Sequence, residues 1–416
     1  MKKTLPGSTG FPSGIFKFSN FQIFKLKHFN LSVLLRLFLI STLSHYQIST
    51  LAAQDSSHIR ISLLTCTPGR ELYSTFGHTA IRVTDSSSVT DNVFNYGTFN
   101  FEEPGFYTKF IRGKLRYYLS VENFEDFKYA YQADSRGITE QVLNMAATEK
   151  ITLMRALYAN AKGTDKFYQY DFFLDNCTTR ARDMLVRFKN NQPVFKPVMP
   201  AGTRFRQAIH EYLDKNKKYW SKLGIDLLLG APTDAVMTTG QSQFLPDNLM
   251  KSFDSSNQNH QLVLSTTNLY PVANEKSKDS FLTPMIVFTL LLLIVVLLSF
   301  STNKGVKIFL QGFDGIFFFS AGMMGILLIF MWVATDHSMT KNNYNLLWAW
   351  PFNVISAFFV NSKTRLARHY FGICTIALVL VLLGWFFLPQ QMNNALIPVV
   401  LLLAFRSAAR YLIPAL

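Results

Sequence analysis

Cysteine is scarce in this chain: three thiols, Cys66, Cys177 and Cys374, in 416 residues. That is too few for a disulfide framework. Charge is sparse as well, at 16% of residues against 49% hydrophobic, less than a wholly soluble domain carries. Acidic residues are missing from the first 40 positions, where Lys2, Lys3, Lys17, Lys25, Lys27 and Arg36 lie. No zinc-site spacing and no nucleic-acid motif occurs, so no metal, no cofactor and no nucleic-acid partner is expected. The formal net charge of +15 is not gathered on one basic face. It flanks apolar runs instead, the pattern of membrane targeting and topology.

Those runs organise the chain. "LSVLLRLFLISTLS" (31–44) is a short apolar core followed by small residues at Ala52 and Ala53, so 1–53 reads as a signal peptide or signal anchor. Residues 54–250 read as a mixed α/β exported domain. Strands are expected at 58–66, 78–83 and 93–101, and helices at 145–161, 177–188 and 203–216. Residues 251–280 read as a polar linker. From 281 to 416, apolar spans are expected at 282–300, 309–334, 344–361, 370–389 and 395–413, each near the roughly 20 residues a bilayer core requires. Lys304 and Lys307, then Lys363, Arg365 and Arg368, then Arg406 and Arg410 go to the cytoplasmic face by the positive-inside rule. The exported domain and the connector "TDHSMTKNNYN" (335–345) then share the outer face. Cys374 falls inside an apolar span and reads as a packing residue. The close spacing of Gly312, Gly315, Gly322 and Gly325 suits tight helix approach.

The chemistry points to "YDFFLDNCTTRARD" (170–183), where an aromatic strand gives way to a helix. A thiol at a helix start gains free N–H groups and the positive end of the helix dipole, both of which favour the thiolate. Asp175 or Asn176 is placed to cap that helix, although an acidic neighbour opposes thiolate formation. Cys177 is therefore the candidate nucleophile, in preference to a disulfide with Cys66. His78, opening a strand after Gly77, is the candidate base. Asn95 on the next strand is the candidate third residue that orients the imidazole, with Asp85 and Asp91 as rivals.

A histidine opening a strand, a polar residue on the next strand and a cysteine at a helix start far downstream resemble the circularly permuted papain-like fold of the NlpC/P60 and lecithin:retinol acyltransferase type. "FGHTAIRV" and "DNCTTR" carry that likeness. More closely, "TCTPGRELYSTFGHTAIRV", "NYGTFNF", "YDFFLDNCTTRARD", "GIDLLLGAPTD", "FLPDNL" and "TDHSMTKNNYNLLWAWP" together resemble the Lnb family of Bacteroidota. The resemblance implies an α+β permuted papain-like periplasmic domain followed by an all-α five-helix transmembrane bundle in the inner membrane. It also implies lipoprotein N-acyltransferase activity: an acyl chain moves from a phospholipid donor through a cysteine thioester to the α-amine of a diacylated lipoprotein. Cys177, His78 and Asn95 are then the expected catalytic residues. Tyr73 and Asn176 in the matching stretches, with Asp336, His337 and Asn345 of the outer connector, are the expected substrate-binding residues.

Two rival readings accompany this one. A membrane-anchored thiol hydrolase or amidase of the cell envelope accounts for Cys177 and His78 but leaves the apolar spans without a purpose. A non-enzymatic accessory or chaperone for an exported glycosidase is the second, and it makes Cys177 structural.

Overall fold

The computed structural model describes residues 58–256, 261–271 and 281–412. The expected signal segment at 1–53 lies outside the described residues. The periplasmic-type half is built on a seven-stranded sheet in which every pairing is antiparallel. Its strands are β1 (Ile59–Cys66), β2 (His78–Asp85), β3 (Thr90–Thr98), β4 (Arg116–Asn123), β5 (Ile138–Leu143), β6 (Phe167–Gln169) and β7 (Val263–Tyr270), in the order β6-β4-β3-β2-β1-β5-β7. The β-branched run "IRISLLTC" makes β1 a central strand, with Ile61, Leu63 and Leu64 fully buried. β2 lies beside it, pairing His78 with Cys66. The Ala147–Lys162 and Cys177–Arg187 helices cover one face, joining Leu153, Leu157, Ala181 and Leu185 to Phe94 and Tyr96 of β3 in one core.

Two expectations fail here. Residues 263–270, read as linker, form β7 along β5. This is an edge strand, mostly exposed and rich in Ser and Thr, so its polarity hides a β ladder that backbone pairing supplies. Residues 344–361, read as a spanning helix, form only short pieces: Tyr344–Leu347, Asn353–Ser356 and Ala357–Phe359. Pro351 cannot donate a backbone hydrogen bond and restricts the residue before it, so a helix cannot run through. The segment instead follows the Lys304–Val333 helix. The Ala349 carbonyl lies over Gly325 and the Val354 amide over Gly322, so close that a Cβ at either glycine would collide with that backbone. Irregular backbone at membrane depth is tolerated only when buried against protein, and this glycine face supplies the burial.

Among the described residues three helices are long and apolar enough to cross a membrane: Lys304–Val333, Arg365–Gly384 and Asn394–Leu412. A shorter apolar helix, Pro284–Ser299, packs beside the last of them. Asp314 is fully buried, where an unpaired charge would be very costly. It accepts from Arg406 Nε at 2.7 Å and from Arg410 Nε at 2.6 Å. Arg406 also donates to Ser299 Oγ at 2.7 Å, tying the short helix to this ion cluster.

The two halves are locked together by the "GIDLLLGAPTD" motif. Arg206 is fully buried and bridges Asp226 at 2.8 Å and Asp234 at 3.0 Å. Asp226 also meets His210 at 2.8 Å and, from the membrane half, Asn393 Nδ2 at 2.9 Å. The Gly230 amide donates to Met339 O at 2.8 Å, and Gln390 Nε2 donates to Leu229 O at 3.0 Å. The connector after the Lys304–Val333 helix is thereby fastened against the periplasmic-type domain.

Candidate active site

Asn176 starts the Cys177 helix. It has extended backbone, and its Oδ1 accepts from the Thr178 and Thr179 amides at 2.9 Å each. Asn176 Nδ2 is spent on Phe172 O and Phe244 O, both at 2.8 Å. Asn176 lines the cleft, but its side chain is committed to capping and to bracing two loops, which differs from the expected contact with substrate. The cap satisfies the second and third amides of the helix. Cys177 occupies the first position, where no intrahelical acceptor is available. Asp175 forms a fork with Arg180 at 2.6 and 2.7 Å. The acidic neighbour that would have opposed a thiolate is thus neutralised.

The helix sits on β2 and β3. The Thr178 and Thr79 hydroxyls meet at 3.1 Å in the core, and this seats the sulfur beside the start of β2. Gly97 on β3 has φ +90°, and a Cβ added there would come within 3.3 Å of the Cys177 Cβ. Glycine at this position therefore permits both the backbone turn and the close approach. His78 Nε2 lies 2.6 Å from Asn95 Oδ1. Asn95 Nδ2 lies 3.1 Å from Glu122 Oε1 on β4. The Asn95 amide nitrogen donates to Glu122 Oε1, which turns Oδ1 to the imidazole. The His78 proton is then fixed on Nε2, and the other ring nitrogen is left for the thiol.

His78, Asn95 and Glu122 thus form one line of hydrogen bonds across the sheet, with the Cys177 thiol facing the imidazole from the helix. Asp85, a rival for the third position, is held by Ser87, and Asp91 pairs with Arg82 at 2.8 Å. Glu122 was not anticipated, because it reaches the site only through the β3–β4 register, in which it pairs with Val93.

The electrostatics follow from this line. Burial pushes the Cys177 thiol up. The His78 charge and hydrogen bond, the Thr79 amide and the Thr178 hydroxyl outweigh it and bring the thiol down from 9.0 to about 7. Burial lowers His78, but the facing sulfur and Asn95 raise it on balance. Both shifts favour passage of the thiol proton to the imidazole, the direction that raises the thiolate fraction. Cys66 shows the contrast. With burial dominant its thiol is pushed up to about 12, so it stays protonated and inert.

We expect alkylation of Cys177 by iodoacetamide to rise through a midpoint near pH 7. In His78→Ala, removal of the cation returns the thiol to at least its ordinary range, and labelling at pH 7 falls about 50-fold. An unchanged midpoint in that variant would contradict the pairing.

Cys177 and His78 lie on a cleft of about 330 Å³ walled by Tyr73, Phe99, Phe110, Leu115 and Tyr117 among others. A second cavity of about 540 Å³ adjoins it at the seam with the membrane half. Tyr73 stands at the rim, 72% exposed. Asp336 and His337 reach the site region. Asp336 Oδ2 accepts from Gln169 at 3.1 Å, and His337 Nε2 lies 3.0 Å from Ile111 O while its ring borders both cavities. Asn345 does not reach the site. It is fully buried, accepts from Trp348 Nε1 at 3.0 Å and faces Asp226 O and Asn343, so it braces the seam. Its polarity in an aromatic stretch marked it as special, but it does not contact the cleft.

Residues 46–204 match the family model described as the Lnb N-terminal periplasmic domain, and residues 276–415 match the one described as the Lnb transmembrane domain. No curated protein and no solved structure matches the chain.

Proposed function

Because the chain belongs to the Lnb family, as a membrane protein with a periplasmic domain, we propose that it is a cysteine-dependent lipoprotein N-acyltransferase of the inner membrane. The observation that carries this reading is the Cys177–His78–Asn95–Glu122 line at the floor of an apolar cleft that continues to the membrane-domain seam. The order histidine, asparagine, helix-starting cysteine supports a permuted papain-like fold for the domain. A hydrolase of hydrophilic wall polymers has no use for such a cleft, whereas an enzyme handling acyl chains at a bilayer surface does.

In the first half-reaction the Cys177 thiolate attacks the ester carbonyl of a phospholipid. Charge develops on the carbonyl oxygen, and the free Cys177 amide at the helix start is positioned to stabilise it. The carbon–oxygen bond breaks, His78 passes its proton to the departing alkoxide, and lysophospholipid leaves an acyl thioester. In the second half the α-amine of a diacylated lipoprotein attacks. Its reference pKa near 8 leaves a useful neutral fraction. His78 takes the amine proton, the carbon–sulfur bond breaks and the thiolate–imidazolium pair is restored. Asn95, held by Glu122, keeps the imidazole in the required tautomer.

Mass spectrometry of lipoprotein N-termini tests the activity. Deletion of this protein is expected to convert N-acylated termini to free α-amines, and the intact gene to restore them. N-termini that stay fully acylated in the deletion strain would contradict the proposal.

A further inference from the structure

We propose that the 540 Å³ cavity at the seam is the chamber that stores the acyl chain while it is bound to Cys177, and that the membrane half completes this chamber. The inference rests on the acyl-transfer reading above and deepens it.

A two-step transfer poses a geometric problem. After the first half-reaction the lysophospholipid must leave and a lipid-bearing acceptor must enter, while the chain on Cys177 stays in place. One opening cannot hold the stored chain and exchange two bulky amphiphiles. The structure has two adjoining spaces. The cleft at Cys177 has an open rim, with Tyr73 and Phe110 72% and 51% exposed. The seam cavity adjoins it, with Leu72, Phe76, Gly113, Tyr170, Phe172 and His337 common to both linings.

The far wall of the seam cavity is aliphatic. Ile209, Ile225 and Leu229 come from the periplasmic-type domain, and Met339 from the connector after the Lys304–Val333 helix. Its polar side carries Gln169, Asp171, Asp336, His337, Ser338 and Thr340, each hydrogen-bonded to protein. Asp171 Oδ1 accepts the Phe173 and Leu174 amides at 2.9 and 3.0 Å, and Oδ2 accepts the Ser338 hydroxyl. A methylene chain laid against Asp171 and Ser338 therefore leaves neither newly unpaired, which is the condition for burying it there without penalty. Burial of the chain contributes about 0.8 kcal/mol per methylene, so longer acyl groups should be held more firmly.

The experiment uses the full chain in detergent and measures thioester formation on Cys177 by intact mass spectrometry. The probes are p-nitrophenyl esters from acetyl to palmitoyl. Wild type is expected to favour long chains. Ile225→Trp, which fills the chamber without touching the cleft at Cys177, is expected to slow palmitoyl loading at least tenfold while acetyl loading stays within twofold. Ile225→Ala, which enlarges the chamber, is expected to keep the long-chain preference. An Ile225→Trp variant that slows all esters equally, or none, overturns the chamber. Wild type that loads acetyl and palmitoyl groups at equal rates overturns it too, while leaving the thioester reading intact. Failure of every ester to load wild type overturns both.

Discussion

Cys177→Ser in the full-length chain is expected to lower N-acyl transfer at least about 10³-fold while leaving the melting temperature unchanged. The substitution keeps the size and position of the side chain, so the Asn176 cap, the Thr178–Thr79 contact and the approach to Gly97 all survive. What it removes is the ion pair. The thiol here is drawn down to about 7 by His78, the Thr79 amide and the Thr178 hydroxyl, and a hydroxyl lies far outside that reach. His78 would then have to extract a proton during attack, instead of holding one already transferred. The ester that serine formed would also be a poorer acyl donor to an amine than a thioester. A variant that retained a tenth of the activity would remove Cys177 from the nucleophile role.

The second large effect is on stability. Arg206→Leu is expected to destabilise the folded chain by about 3–5 kcal/mol, because it strands two buried carboxylates. Arg206, Asp226 and Asp234 are all nearly or fully buried, and the guanidinium also donates to Leu229 O, Gly230 O and Thr233 Oγ1. Those partners form the turn that receives Met339 and Asn342 of the connector. Loss of Arg206 should therefore loosen the seam together with the domain. Thermal unfolding in detergent measures this. The triple variant Arg206→Leu, Asp226→Asn, Asp234→Asn should recover part of the loss, since the unpaired charges are then gone. A melting temperature within a degree of wild type for the single variant would refute the account of the seam.

The legible part of the site was the part that depends on local sequence. A thiol after a capping asparagine and a histidine after a glycine at a strand start are visible in the letters, because turn and cap chemistry act over three or four residues. Asn95 followed from strand adjacency, one hairpin away. Glu122 did not, because it requires the register of β4, a strand in a stretch without a clear alternating pattern. The cap at Asn176 was legible, but for Asn176 and Asn345 alike only three-dimensional partners separate a group that braces a loop from one that meets a ligand. The 344–361 segment was misread because hydropathy measures apolar content, whereas Pro351 and the Gly322–Gly325 face of a distant helix decide its conformation. β7 was misread for the converse reason. Its side chains are polar, and its place in the fold comes from backbone pairing to β5. The seam cavity belongs to neither half alone, so no stretch of sequence could announce it.

The central claim is that an acyl group passes through Cys177. Incubation of the purified full chain with phospholipid vesicles, rapid acid quench and peptide mass spectrometry tests it most directly. The account predicts a fatty-acyl adduct on the peptide containing Cys177 that neutral hydroxylamine removes, that a diacylated lipopeptide acceptor discharges as N-acylated product, and that Cys177→Ala lacks. Acylated lipopeptide formed at the wild-type rate by Cys177→Ala, or an adduct confined to Cys66 or Cys374, would contradict it.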